Sequence, residues 1–339
     1  MAAGSYTVAI AGATGVVGGT VRRILEERSF PVGELRLLAS ARSAGRRLPF
    51  KGAELEVQRL GQGSFTGIDL VFFAAGGDIS REYAPQAVAA GATAIDKSSV
   101  FRMDPGVPLV VPEVNAEHLA SHTGIIATPN CSTIQMVVAL KPIYDAVGVQ
   151  RVVVSTYQSV SGSGQGGIAA LEAQARQWAA GEPVEPQFYP HQIAFNVLPH
   201  IDSFLPSGAT KEEQKMVDET TKIFADPDLK VTATCVRVPV FGAHSEALNV
   251  QTWRKLTAGE ARELLAGAPG IVVVDDPAEL RYPLPLDAEG KDPVYVGRIR
   301  EDVTVQYGLD LWVVGDNLRK GAALNAVQIA EELVRRGLL

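Results

Sequence analysis

Cys131, one of only two cysteines in the 339-residue chain, lies in the run Ala127-Thr128-Pro129-Asn130-Cys131-Ser132-Thr133. A deprotonated thiol is a strong nucleophile. Residues 132–140 (STIQMVVAL) read as the start of a helix directly after Pro129 and Asn130, and a helix N-terminus favours the thiolate. Upstream lies a glycine turn, Gly12-Ala13-Thr14-Gly15-Val16-Val17-Gly18, and downstream a glycine-rich loop, Ser161-Gly162-Ser163-Gly164-Gln165-Gly166-Gly167. A nucleotide-type turn and a poised thiol point to chemistry at an acyl or aldehyde carbon. By position alone, a buried structural cysteine stands beside that reading, because free cysteine is among the most buried residue types.

The glycine turn follows an apparent strand (6–11) and opens an apparent helix (16–27). In that setting backbone N–H groups and the helix dipole meet a diphosphate. The spacing is G-x-x-G-x-x-G rather than the commoner G-x-G-x-x-G. Gly12, Thr14, Gly15, Val16 and Val17 are the expected cofactor contacts of the turn. A close-packed turn without a ligand is the alternative. The second strand ends in Ala39-Ser40-Ala41-Arg42-Ser43. NAD binders place a carboxylate there for the ribose 2′-hydroxyl. Here no acid is present, and Ser40, Arg42 and Ser43 suit a 2′-phosphate, so NADP is the expected cofactor. A solvated arginine on a loop is the other account of Arg42.

The elements that must hold these residues alternate in the first half. Strands are expected over 35–40, 55–60, 70–74, 93–96, 109–111 and 124–128, with a helix over 80–90. Such alternation means a doubly wound, Rossmann-type parallel sheet. After Cys131 the pattern changes. A helix over 132–147 precedes long strand candidates at 151–159, 231–240 and 247–253, antiparallel in style, and 303–314 holds one or two more. This second part reads as an α+β domain with a mixed sheet. Residues 183–190 read as an ordered loop. The last segment, 322–336, is an amphipathic helix with Leu324, Val327, Ile329, Ala330, Leu333 and Val334 at helical spacing. The expected organisation is a dinucleotide domain over 1–129, rejoined by 316–339, and a catalytic and dimerisation domain over 130–315.

A hydrophobic content of 46% and charged content of 20% fit a globular protein. The net charge of −7 argues against a phosphate-backbone binder, so no nucleic acid is expected. Two cysteines make no disulfide framework. No run approaches the roughly 18 apolar residues of a membrane helix, so no membrane contact is expected. The start, Met1-Ala2-Ala3-Gly4-Ser5-Tyr6, lacks the basic and apolar regions of a signal peptide. A cytoplasmic protein is expected. Histidines and cysteines do not cluster at ligand spacing, so no metal site is expected.

Several separate motifs, in order, resemble those of the aspartate-β-semialdehyde dehydrogenase family. They are GATGVVG at the N-terminus, PNCST around Cys131, Gln158 followed by SVSGSG, Arg237 seven residues before His244, and the closing Gly315-Asp316-Asn317-Leu318-Arg319-Lys320-Gly321. They span nearly the whole chain. The resemblance implies an NADP-dependent phosphorylating aldehyde dehydrogenase, an acyl-phosphate reductase. Cys131 attacks the aldehyde carbon of L-aspartate 4-semialdehyde, hydride passes to NADP, and inorganic phosphate as co-substrate opens the resulting thioester to 4-aspartyl phosphate. The reverse direction serves biosynthesis of lysine, methionine, threonine, isoleucine and diaminopimelate. A homodimer is implied, with a tetramer as the further possibility.

The resemblance also implies roles. His244 is the general acid/base, with an unperturbed pKa near ~6.5. The other four histidines are read as surface or satisfied. Gln158 orients the substrate. Arg237 interrupts an otherwise almost uncharged strand and clamps the substrate carboxylate two-pronged, although a structural ion pair explains such an arginine too. Cys235, two residues earlier, is read as packing. Glu212 meets the substrate ammonium and Lys215 the phosphate. Without the resemblance they are an ordinary solvated helix pair over 211–224. Arg102 is a second phosphate contact on a loop after a strand, and Asn130 binds beside the thiol. Ser161, Gly162 and Asn317 approach the cofactor.

Two related enzymes share this architecture: N-acetyl-γ-glutamyl-phosphate reductase and an acyl-CoA-type reductase. The first has no need of Glu212 for a free ammonium, and its cysteine usually sits in Gly-Cys-Tyr. A non-catalytic NADP-binding relative is a third reading, opposed by the joint presence of Cys131, Gln158, Arg237 and His244.

Overall fold

The computed structural model describes residues 4–339; Met1, Ala2 and Ala3 of the N-terminal segment read above lie outside the described residues. The chain forms two compact units, one of residues up to Pro129 together with Ala322–Leu339, the other of Asn130–Gly321.

The first unit runs β1 (Tyr6–Ala11), α1 (Val16–Glu27), β2 (Val32–Ala39), β3 (Arg47–Phe50), β4 (Ala53–Arg59), β5 (Leu70–Phe73), α2 (Gly77–Ala89), β6 (Thr93–Asp96), a short α3 (Pro112–Asn115) and β7 (Ile125–Ala127). They build a seven-stranded sheet in the order β3-β4-β2-β1-β5-β6-β7. Every neighbouring pair is parallel except β3 and β4, an edge hairpin that the apolar pattern did not announce. Central parallel strands are covered on both faces, so they read as unbroken apolar runs. Val8 to Ala11 and Leu70 to Phe73 are accordingly all buried. The strand order reverses at β1, with β2 on one side and β5 on the other. In such sheets ligands bind beyond the carboxyl ends of the strands at that reversal. The run at 109–111, expected as a strand, makes a single bridge from Leu109 to Ala127.

The second unit runs α4 (Cys131–Val147), β8 (Val149–Gln158), α5 (Gln165–Ala179), α6 (Lys211–Phe224), β9 (Lys230–Arg237), β10 (His244–Thr252), α7 (Ala258–Ala266), β11 (Ile271–Val273), a short α8 (Pro285–Ala288), β12 (Val294–Asp302) and β13 (Gly308–Gly315). The six-stranded sheet has the order β11-β12-β13-β10-β8-β9. It is mixed. The antiparallel style expected for 231–240 is corrected: β9 runs parallel to β8, because α5 and α6 lie in the crossover between them. Burial alternates along β8, with Val152, Val154, Thr156 and Gln158 inside and Tyr157 exposed. Helix α4 packs on β8, β10 and β13, and α6 packs on β9.

The run 303–314, expected to hold one or two strands, holds one, β13. Its first residues are the turn between β12 and β13. Asp302 Oδ1 accepts from the Thr304 N–H (2.8 Å) and hydroxyl (2.6 Å), and Tyr307 sits at φ 59°, which ends the ladder.

The last helix, α9 (Leu324–Arg336), belongs to the first unit. Its Val327, Ala330 and Leu333 share an apolar core with Ile24 and Leu25 of α1. Gly337 closes it in the left-handed conformation at φ 67°.

Candidate active site

In the first unit the glycine turn is shaped by its own backbone. Gly12 has φ +90°, and a Cβ there would stand 2.7 Å from the carbonyl oxygen of Ala74. A Cβ on Gly18 would stand 2.2 Å from the carbonyl oxygen of Gly12. Both positions exclude any other residue. Gly15 is exposed and is the N-cap of α1; no side chain caps that helix and no acid stands in its first turn, which Val16 and Val17 open. Thr14 Oγ1 donates to Ser43 Oγ at 3.3 Å and ties the turn to the loop after β2. On that loop Ser40 and Arg42 are exposed, Ser43 is buried, and residues 40–43 contain no carboxylate. The backbone cradle, uncapped helix and exposed guanidinium fit a dinucleotide that carries an extra phosphate. Arg102, in the loop after β6, is buried, and its Nη2 donates to the Lys97 carbonyl at 2.8 Å.

In the second unit the predicted residues fall into one row across neighbouring strands. His244 pairs with Gln158, and Gln158 pairs with Arg237, while Gly315 lies opposite His244 on the other side. All lie at one edge of the sheet, where β8, β9 and β13 end and β10 begins. Gln158, Arg237 and His244 are each no more than 5% exposed. Polar groups so deep require partners.

Cys131 is the first residue of α4 and is half-buried. Its helix is capped by Asn130, whose Oδ1 accepts from the Ser132 N–H at 2.9 Å and the Thr133 N–H at 3.4 Å. Asn130 Nδ2 donates to Glu212 Oε1 at 2.8 Å, and the same oxygen accepts from Gln158 Nε2 at 3.3 Å. One carboxylate thus joins the residue before the thiol to the row of strand ends. Space beside the thiol is kept by Gly321, where a Cβ would come within 3.0 Å of Cys131 Cβ. The expectation that Asn130 binds substrate is joined here by a structural task, holding the end of α4.

His244 departs from the sequence expectation in its basicity. Its ring is fully buried, and burial, reinforced by the Arg237 guanidinium, pushes its pKa down to about 3. The ordinary value near ~6.5 belongs to a solvated imidazole. Ser159 N–H donates to Nδ1 at 3.0 Å, and Ser159 Oγ lies 3.0 Å from the same nitrogen. Nδ1 therefore carries the lone pair, and the neutral ring has its proton on Nε2. Nε2 has no hydrogen-bond partner among the described residues.

Glu212 and Lys215 are not the solvated pair that spacing alone suggests. Helix α6 begins with a capping box of Thr210 and Glu213 and turns Glu212 inward, with 7% of its side chain exposed. Glu212 Oε2 lies 3.2 Å from Lys215 Nζ, which also pairs with Asp202 at 2.8 Å. Burial pulls the Lys215 pKa down, but Glu212 and Asp202 outweigh it and hold the ammonium above its ordinary value. Ser161 and Asn317, expected near the cofactor, are buried and bonded to each other, Asn317 Nδ2 donating to Ser161 Oγ at 3.0 Å. Cys235 packs in the core as expected, its Sγ 3.8 Å from Met216 Sδ, and burial pushes its thiol pKa well up, away from reactivity.

The chain is similar in sequence and fold to known proteins. Residues 7–122 match the family model described as semialdehyde dehydrogenase, NAD binding domain, and residues 140–320 match that described as semialdehyde dehydrogenase, dimerisation domain. The chain is 57% identical over 338 residues to the aspartate-semialdehyde dehydrogenase of Aquifex aeolicus (strain VF5), covering 98% of this chain and 99% of that one. The crystal structure of aspartate semialdehyde dehydrogenase II of Vibrio cholerae complexed with ASA superposes with a TM-score of 0.95 at 50% identity, covering 98% of each chain. That of aspartate semialdehyde dehydrogenase with NADP from Candida albicans superposes with a TM-score of 0.77 at 26% identity, covering 99% of this chain and 100% of that chain. The chain belongs to the aspartate-semialdehyde dehydrogenase family.

Three residues of this family member support the site without the sequence having assigned them a role. Ser159 holds His244 and also accepts from Arg237 Nη1 through its carbonyl at 2.6 Å. Glu219 of α6 accepts the Asn130 N–H at 2.6 Å. Glu246, two residues after His244 on β10, is fully buried. Burial raises its pKa well above the carboxylate range; the Gln135 amide offsets this in part, yet neither oxygen accepts a hydrogen bond of normal geometry among the described residues. Their partners lie far along the chain, so no local pattern marks them. Among the described residues no group of three metal-ligating side chains occurs, and no helix is long and apolar enough to cross a membrane.

Proposed function

We propose that this chain catalyses the NADP-dependent phosphorylating oxidation of L-aspartate 4-semialdehyde to 4-aspartyl phosphate. It works in the reductive direction in biosynthesis of lysine, methionine, threonine, isoleucine and diaminopimelate. The observation that carries the reading is Glu212, which links Asn130 beside the thiol to Gln158 in the row with His244 and Arg237.

Arg237 receives the substrate carboxylate, Glu212 the ammonium, and Gln158 orients the carbonyl. Cys131 Sγ adds to the aldehyde carbon, a C–S bond forms, and negative charge moves to the carbonyl oxygen. The His244 Nε2–H donates to that oxygen, as a neutral imidazole can. Bound NADP would supply the hydride acceptor for this carbon. Gly12, Thr14, Gly15, Val16 and Val17 would hold its diphosphate, Ser40, Arg42 and Ser43 its 2′-phosphate, and Ser161, Gly162 and Asn317 its reactive end. A phosphate oxygen, positioned by Lys215 and Arg102, then attacks the thioester; the C–S bond breaks and the thiolate returns. Splitting the reaction at a thioester replaces one hard step with two easier ones.

The substrate also tunes its own catalyst. Arg237 is one cause of the depressed basicity of His244. A carboxylate bound to Arg237 offsets that charge and raises the basicity of the imidazole, while burial, the larger cause, still holds it below its ordinary value.

A homodimer in the cytoplasm fits this reading. The less covered face of the second sheet has a hollow of about 570 Å³ lined by residues that include Ser155, Asn249, Arg300 and Trp312. N-acetyl-γ-glutamyl-phosphate reductase is the second reading, and the buried Glu212 carboxylate disfavours it, because an acylated nitrogen carries no charge to meet it. The test is NADP reduction with aspartate 4-semialdehyde, with and without phosphate, for wild type and Cys131→Ser. Phosphate-dependent activity lost in the variant supports the reading; a folded wild-type protein without activity overturns it.

A further inference from the structure

We infer that Glu219 is a positioning residue for the Cys131 nucleophile, acting through the backbone of Asn130. This rests on the reading of Cys131 as the attacking group. Glu219 lies one α-helical heptad beyond Glu212, so both project from the same side of α6. The two carboxylates take Asn130 from two directions: Glu219 Oε2 accepts its backbone N–H at 2.6 Å, and Glu212 Oε1 accepts its side-chain Nδ2 at 2.8 Å. Asn130 Oδ1 faces the first turn of α4, and its carbonyl accepts from the Ile134 N–H at 2.9 Å. Every polar group of the residue before the thiol is thereby fixed. The side-chain bonds orient the cap, whereas the bond to Glu219 fixes the peptide leading into it, and hence the direction in which Cys131 leaves the helix.

The position of Glu219 is itself an argument. It is 1% exposed. A carboxyl group so buried is costly unless its hydrogen bonds repay the loss of water. An apolar residue serves a merely packed site on α6 at less cost. What a carboxylate adds there includes a short, strong acceptor for the Asn130 N–H.

The experiment compares Glu219→Ala with Glu219→Gln, which keeps a carbonyl acceptor of the same reach. Steady-state kinetics with aspartate 4-semialdehyde are measured together with the rate of Cys131 alkylation by iodoacetamide from pH 5 to 9. Glu219→Ala is expected to lose about 10²-fold in kcat, the scale of a small misplacement of reacting atoms, with KM for substrate changed less than about threefold. Its alkylation profile is expected to differ from wild type. Glu219→Gln is expected to recover most of the loss. Should Glu219→Ala not fold, Glu219→Asp withdraws the acceptor by one methylene and is expected to show the same kcat loss. Wild-type kcat and alkylation in the alanine or aspartate variant overturns the inference, as does an equal loss in the glutamine variant. Full activity in Cys131→Ser instead overturns the underlying reading of the nucleophile, so the two failures are told apart.

Discussion

Arg237 Nη1 and His244 Nε2 converge on Gly162. A Cβ on that glycine would lie 2.9 Å from the guanidinium nitrogen and 3.2 Å from the imidazole nitrogen. The loop after β8 therefore leaves no room between the proposed carboxylate clamp and the proposed acid/base, except for a backbone. Arg237 cannot simply swing aside, because it is buried and bonded to the Ser159 carbonyl at 2.6 Å.

Gly162→Ala is expected to displace the guanidinium by a few tenths of an ångström. A fall in kcat/KM of about 10- to 100-fold follows, since sub-ångström placement governs the rate. Thermal unfolding is expected to move little, because the glycine has an ordinary φ and the obstacle is two side-chain tips. Steady-state kinetics beside a thermal melt check both halves.

Arg237→Ala is expected to do two separate things. Losing the two-pronged partner of the substrate carboxylate lowers kcat/KM by about 10²- to 10³-fold, the effect of removing one side of a buried charged pair. Removing the guanidinium also raises the His244 pKa, because that charge is one of the two causes that lower it. A proton NMR titration of the His244 ring should show its midpoint above the wild-type value of about 3. An unchanged midpoint would show that burial alone sets it.

Stability should depend on pH through His244 and Glu246 in opposite senses. The folded pKa of His244, about 3, lies below that of the unfolded chain, so the unfolded state binds more protons as pH falls from about 6.5. Its contribution is present at neutral pH and lost on acidification, at no more than about 1.4 kcal/mol per pH unit. Glu246 is raised, so its contribution is present below the unfolded value of 4.5 and lost as pH rises toward the folded pKa. His244→Asn is therefore expected to flatten the acid side of the stability curve. Glu246→Gln is expected to gain stability over wild type as pH rises above 5. Urea unfolding at half-unit steps from pH 4 to 8 reads both.

Arg42→Ala is expected to raise KM for NADP about tenfold or more and to leave KM for NAD within about twofold, since only the 2′-phosphate needs the guanidinium. Equal changes with both cofactors would remove Arg42 from the cofactor site.

Much of this protein was written in local sequence. Gly12 and Gly18 after an apolar strand specify a tight strand-to-helix turn whatever the rest of the chain does, because backbone sterics act over a few residues. Alternating apolar runs and helices specify the parallel sheet, and Pro129-Asn130 announces the helix that begins at Cys131. Local reading left a boundary open where a turn runs into a strand, as in 303–307 before β13, where Asp302 and Tyr307 set the turn.

Tertiary structure decided the chemical character of the site. His244 titrates ordinarily in a peptide; it is weakly basic here because the sheet buries it and sets Arg237 two strands away. Glu212 is a surface residue by helix spacing, yet it faces inward and is shared by Asn130 and Gln158, 82 and 54 residues distant. Glu219 and Glu246 had no signal at all, and Ser159 lay in a motif that gave it no role. Helix periodicity and turn propensity depend on near neighbours, so a sequence displays them. Desolvation, hydrogen-bond partnership and charge coupling depend on what the fold brings together, and they exist only once the chain has closed on itself.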